Sequence, residues 1–212
     1  MSPLLVKVCG MTRADDARRC AELGVNLVGF IFHPASPRNV APALPRSLTL
    51  PHTLKVGVFL QQTADEVRAI MDQGRLDLAQ LHGGQDPAFC EAVGPARVVK
   101  VLWPERYAHL DDLMSDLRRF APVCRWFLFD AGSSGGGHGR PLAASLPDVS
   151  DIPRPWLLAG GLSPDTLPAA LALRPDGVDL NSGVESAPGI KDFDKLTRAL
   201  GLLRPAALKE QS

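Results

Sequence analysis

The 212-residue sequence predicts an α/β fold: one closed, parallel eight-stranded (β/α)8 barrel with some irregular crossovers. Three observations carry that expectation. Short runs rich in β-branched and aromatic residues alternate with helix-period segments, and the unit recurs every ~20–30 residues until eight strands are reached. The runs are apolar on successive residues, as parallel strands covered on both faces are. The competing open doubly wound sheet calls for a G-x-G-x-x-G turn after the first strand, and Cys9-Gly10-Met11-Thr12-Arg13 does not supply one. No proline- or glycine-rich stretch is long enough to be a linker. The expected organisation is a barrel domain over 1–203 and a frayed tail over 204–212.

Val6-Lys7-Val8 is a strand by its β-branched residues, and Gly10 permits a sharp exit. Thr12 followed by Asp15 and Asp16 reads as a helix start, with Ala17, Cys20, Ala21 and Leu23 at helical spacing. A second strand over 26–32 empties into the proline-marked loop His33-Pro34-Ala35-Ser36-Pro37-Arg38. Pro42, Pro45 and Pro51 restrict any helix between Ala41 and Thr53 to a short or irregular one. A third strand over 55–60 precedes Thr63 and Glu66, a capping box, with Val67, Ile70 and Met71 as the apolar face. The fourth strand, 78–83, ends in His82-Gly83, and Asp86-Pro87 opens the next helix. A fifth strand over 97–103 leads to Leu110, Leu113, Met114 and Leu117 at helical spacing. The sixth strand, Trp126-Phe127-Leu128-Phe129-Asp130, ends on a carboxylate and runs into a glycine loop over 132–139. The seventh, from Trp156, ends in Gly160-Gly161, and Ser163-Pro164-Asp165 signals a helix start. The eighth, 177–181, is followed by Ser182-Gly183-Val184-Glu185, and a last helix runs from near Asp192 to Leu203.

The 23 basic residues equal the 23 acidic ones, and no charge block stands out, so neither nucleic acid nor a membrane surface is an expected partner. Cys9, Cys20, Cys90 and Cys124 are scattered, without CxxC pairs or Cys/His clusters. That pattern disfavours a zinc site or disulfide framework and fits a reducing compartment. The expected location is the cytoplasm, since no apolar run approaches the ~18 residues of a membrane span.

In a barrel the loops after the strands share one face, where active sites are built. There Cys9 ends the first strand, Arg38 follows the second, His82 ends the fourth and Asp130 the sixth. Gly160-Gly161 and Ser182-Gly183 follow the seventh and eighth strands, where barrels frequently bind phosphate on backbone amides. A carboxyl group after four bulky apolar residues suits a general acid, although a loop-bridging Asp fits the same place. Cys9 suits a base or nucleophile if the thiolate is favoured, and otherwise reads as a small core cysteine. Arg38 offers bidentate geometry for a carboxylate or is a surface arginine. His82 and Asp179 are candidate lining residues of open role.

The pieces KVCGMTR (7–13), GFIFHPASPR (29–38), KVGVF (55–59), QLHG (80–83), FLFDA (127–131), LAGGLSP (158–164) and DLNSGVESAPGIKD (179–192) appear in order along the chain. Together they resemble the phosphoribosylanthranilate isomerase family, (β/α)8 enzymes of tryptophan biosynthesis. The resemblance implies Cys9 as general base, Asp130 as general acid and Arg38 for the anthranilate carboxylate. It implies Gly160, Gly161, Ser182 and Gly183 for the phosphate of a small phosphorylated aminosugar. It implies an acid/base Amadori rearrangement without cofactor or metal, in a monomer or homodimer. The chain departs from the family pattern after the sixth strand: Gly136-Gly137-His138-Gly139 leads into Arg140-Pro141-Leu142-Ala143 rather than Phe-Asp-Trp. That leaves this loop's contacts, and the role of His138, open.

Overall fold

The computed structural model describes residues 4–131 and 146–203. Eight parallel strands close into a barrel in chain order, with the first strand hydrogen-bonded to both the second and the eighth. They are β1 (Leu5–Val8), β2 (Leu27–Ile31), β3 (Leu54–Phe59), β4 (Leu78–Leu81), β5 (Val98–Leu102), β6 (Trp126–Asp130), β7 (Trp156–Ala159) and β8 (Gly177–Leu180). The helices are α1 (Ala14–Glu22), α2 (Ala43–Arg46), α3 (Ala64–Gly74), α4 (Pro87–Val93), α5 (Leu110–Phe120), α6 (Leu167–Leu171) and α7 (Phe193–Leu203). A short hairpin, β9 (Glu185–Ala187) and β10 (Ile190–Lys191), follows β8. The glycine loop over 132–139, His138 and the tail over 204–212 lie outside the described residues. Among the described residues no helix is long and apolar enough to cross a membrane.

Strand alternation divides the apolar residues into two layers. Leu27, Val56, Leu78, Val99, Val101, Leu128, Leu157 and Ala159 fill the barrel interior. Val8, Phe30, Phe59, Phe127, Phe129, Trp156 and Leu180 point outward against the helices. The strands are not apolar throughout, as the sequence pattern implies: Lys7, Gln80 and Asp179 are buried inside the barrel, and Lys55 and Lys100 on its outer side. Each outer lysine satisfies its charge on carbonyls, Lys55 on Pro45 and Leu48 and Lys100 on Gly83 and Gln85.

The local signals mostly hold. Thr63 and Glu66 form the capping box of α3, Asp86 caps α4, and Asp192 accepts from the Asp194 and Lys195 amides at the head of α7. The prolines reduce α2 to a single turn. Two helix starts differ from the expectation. Thr12 does not cap α1, because its hydroxyl donates to the Gly189 carbonyl at 2.6 Å, across to the β9–β10 hairpin. Ser163 and Thr166 bond each other's amides in a turn, so α6 begins only at Leu167.

Candidate active site

The carboxyl ends of the strands surround a cavity of about 310 Å³. Cys9, Arg38, His82, Asp130, Asp179, Gly160, Gly161 and Ser182 all line it, so the structure gathers nearly every residue singled out by position. Gly183 is the exception and does not line the cavity. A β-carbon there would lie 2.1 Å from the Leu162 carbonyl oxygen, so Gly183 lets the β8 loop press against the β7 loop.

Three polar residues at the cavity carry no motif signal of their own: Lys7 beneath it, and Gln80 and Asn181 on its wall. Each stands two residues from another site residue on the same strand, or one step past its end: Lys7–Cys9, Gln80–His82 and Asp179–Asn181. Side chains two apart on a strand share a face. A polar i, i+2 pair running off the end of a buried strand is therefore the signal that finds them.

Cys9 is 4% exposed and lies over Gly29, where a β-carbon would come within 2.6 Å of its sulfur. Below it, Lys7 Nζ donates to Asp179 Oδ2 at 2.7 Å in a buried ion pair. Burial pushes the Cys9 thiol up, and the nearby Lys7 ammonium offsets this only in part. Burial also works to neutralise Lys7, but the charges of Asp179 and Cys9 outweigh it and hold the lysine above its ordinary value. Burial raises the Asp179 carboxyl against the pull of Lys7. Asp179 Oδ1 and Gln80 Oε1 are buried acceptors with no hydrogen-bond donor among the described residues.

Across the mouth, His82 Nε2 is 3.4 Å from Asp130 Oδ2. Gln80 Nε2 lies 3.4 Å from His82 Nδ1 and can only donate. Burial lowers the His82 pKa more than Asp130 raises it, which keeps the ring neutral at neutral pH. Trp103 packs edge-on against the imidazole, with centroids 5.2 Å apart.

Arg38 reaches the cavity from the loop after β2, which Ser36 turns by accepting from the Arg38 amide at 3.1 Å. Its guanidinium is not free: Nε lies 3.0 and 3.1 Å from the two Glu185 oxygens, and Nη2 lies 2.5 Å from Oε2. Burial acts to raise Glu185, and the bonds from Arg38 and Lys191 override it and hold the carboxyl below its ordinary range.

A closed parallel barrel with a thiol, a carboxyl, an imidazole and a guanidinium around one strand-end cavity falls in the class of (β/α)8 enzymes. A family model for N-(5'-phosphoribosyl)anthranilate (PRA) isomerase matches residues 6–200. The N-(5'-phosphoribosyl)anthranilate isomerase of Maridesulfovibrio salexigens is 54% identical over 201 residues, 94% of this chain and 98% of that protein. The crystal structure of phosphoribosyl anthranilate isomerase from Thermus thermophilus matches with a TM-score of 0.79 at 38% identity, over 95% of this chain and 100% of that one. A phosphoribosyl anthranilate isomerase solved in complex with reduced 1-(o-carboxyphenylamino)-1-deoxyribulose 5-phosphate matches with a TM-score of 0.74 at 28% identity, over 93% and 97% of the two chains. The chain belongs to the N-(5'-phosphoribosyl)anthranilate isomerase family, and it is an isomerase.

Proposed function

We infer that this cavity isomerises N-(5'-phosphoribosyl)anthranilate to 1-(2-carboxyphenylamino)-1-deoxyribulose 5-phosphate, with Asp130 as general acid and Cys9 as general base. The reaction is a step of tryptophan biosynthesis. The observation that carries the assignment of roles is placement: Cys9 on β1 and Asp130 on β6 face one cavity from different sides of the barrel.

Asp130 protonates the ring oxygen of the furanose. The nitrogen lone pair breaks the C1–O bond and forms a C1=N iminium. The Cys9 thiolate takes the proton from C2, and that electron pair forms C1=C2 as the iminium collapses to an amine. Ketonisation then places a proton on C1 and removes one from the 2-hydroxyl, so the pair ends with the protons it started with. Hydrogen is only relocated within the substrate, and this chemistry calls for no electron carrier and no metal.

His82, whose Nε2 lies 3.4 Å from Asp130 Oδ2, lines the cavity beside the acid and helps to orient the carboxyl. Arg38 receives the substrate carboxylate, and the loops at Gly160, Gly161 and Ser182 receive the phosphate on backbone amides. Asp179 Oδ1 accepts from a sugar hydroxyl. The Cys9 thiolate is the minor form at neutral pH, because its burial outweighs Lys7. We place the protein in the cytoplasm, as a monomer or homodimer acting on a small phosphorylated aminosugar.

The test is turnover of freshly prepared phosphoribosylanthranilate by the native enzyme and by Cys9→Ser and Asp130→Asn. Each variant is expected to lose at least ~10²-fold in kcat, the lower range for a positioned proton-transfer group. Both should still bind the reduced product analogue. Near-native single-turnover chemistry in Cys9→Ser would remove Cys9 from the role of base.

A further inference from the structure

We infer that Glu185 is a positioning residue for the substrate's carboxylate, holding the Arg38 guanidinium in one orientation over the cavity before substrate arrives, with Lys191 as the cation that shares it. This rests on the reading of Arg38 given above.

Four donors converge on the Glu185 carboxylate: Arg38 Nε, Arg38 Nη2, Lys191 Nζ at 2.7 Å and the Gly189 amide at 3.1 Å. The carboxylate is 4% exposed, and the Lys191 side chain is fully buried. Glu185 engages Arg38 through Nε and Nη2, which leaves the Nη1 corner of the fork for a second acceptor. Because the carboxylate divides its charge between two cations, it orients Arg38 without neutralising it. Lys191 Nζ also donates to Asn181 Oδ1 at 3.1 Å, and Asn181 is itself on the cavity wall.

The arm of Arg38 is fixed from below as well. Gly10 sits at φ +74°, and a β-carbon there would meet Arg38 Cδ at 2.7 Å and Asn181 Oδ1 at 2.6 Å. The arginine stem and the Asn181 amide therefore lie directly on a bare stretch of backbone. Lys191 is anchored in turn, since its amide donates to the buried Asp16 carboxylate at 3.1 Å. A free arginine side chain loses rotamer entropy when it is immobilised. Here that ordering is complete before binding, which is how preorganisation raises affinity.

The experiment compares inhibition by two phosphorylated product analogues, the reduced carboxyphenylamino compound and its phenylamino counterpart without the carboxylate, on native enzyme, Arg38→Ala, Glu185→Gln and Glu185→Asp. Glu185→Gln is expected to weaken the carboxylated analogue by ~10-fold, the gain attributed to preorganisation, and to leave the other within ~2-fold. In turnover, KM should rise more than kcat falls. Glu185→Asp, which keeps the charge but withdraws it by one methylene, should fall between and keeps the comparison open if the Gln variant does not fold. Equal weakening of both analogues by the Glu185 variants would mean scaffolding only and would overturn the inference. If Arg38→Ala discriminates between the analogues and the Glu185 variants do not, the inference fails while the Arg38 reading stands. If Arg38→Ala does not discriminate either, the Arg38 reading itself has failed.

Discussion

Replacing Lys7 by Met should destabilise the protein strongly near neutral pH and weakly in mild acid. Lys7 and Asp179 are 2% and 6% exposed and 2.7 Å apart. Removing one member of a buried pair typically costs about 3–5 kcal/mol, because the survivor is left charged and unpaired. Among the described residues the other Asp179 oxygen has no hydrogen-bond donor. Its escape is to take a proton. Neutralising a carboxyl of reference pKa about 3.9 takes about 1.36 kcal/mol per pH unit, hence about 5 kcal/mol at about pH 7.5 and about 1.5 at about pH 5. Those figures cap the charge contribution. The sign follows from linkage: an acid whose folded pKa is raised burdens the folded state above the unfolded pKa, and the burden lifts as pH falls through the folded value. Urea denaturation followed by circular dichroism at the two pH values should show a loss of ~3–5 kcal/mol shrinking to ~1.5 or less. Adding Asp179→Asn to Lys7→Met should recover much of the neutral-pH loss and abolish its pH dependence. A loss of the same size at both pH values would refute the reasoning.

Inactivation by iodoacetamide, protected by product analogue, should rise with pH along a curve centred above the ordinary thiol value of about 8.5, because burial raises the Cys9 thiol; a midpoint below that value would contradict the burial argument. Gly183→Ala should separate the β7 and β8 loops at the Leu162 carbonyl, lose ~1–3 kcal/mol by overpacking and raise KM for the phosphorylated substrate, read from melting and steady-state kinetics. Glu185, whose folded pKa is depressed, should add stability that is present above about pH 4.5 and is lost as pH falls through the lower folded value, so Glu185→Gln should flatten the acid limb of a stability–pH profile.

Much of the site was legible because strand ends are legible. His82-Gly83, Asp130 and Gly160-Gly161 each close a run that reads as a buried strand, and the barrel brings such ends together. What the sequence does not show locally is pairing across the chain. Lys7 finds Asp179 172 residues on, and Arg38 finds Glu185 147 residues on, and no local pattern announces either partner. Thr12 shows the same limit for a helix cap: its hydroxyl had a local use at α1, and a carbonyl 177 residues away took it instead. At Gly183 the need for glycine comes from the neighbouring Leu162 carbonyl, a contact that no local pattern announces.

The closing seam between β1 and β8 bears on how the chain is made. Among the barrel strands β1 is made before the other seven, and one of its two neighbours, β8, is made after all the rest, so one edge of β1 waits while some 170 residues emerge, as the Lys7–Asp179 separation of 172 records. An unpaired apolar edge is an invitation to other growing chains, and an inward-facing charge is one of the ways proteins blunt such edges. Lys7 supplies that charge on β1 and Asp179 the opposite one on β8. Each is poorly suited to pairing with an apolar strand of another molecule, and the two neutralise each other only when the right edges meet. The ion pair beneath the cavity thus joins the two strands whose pairing closes the barrel, and its two charges are matched only at that seam.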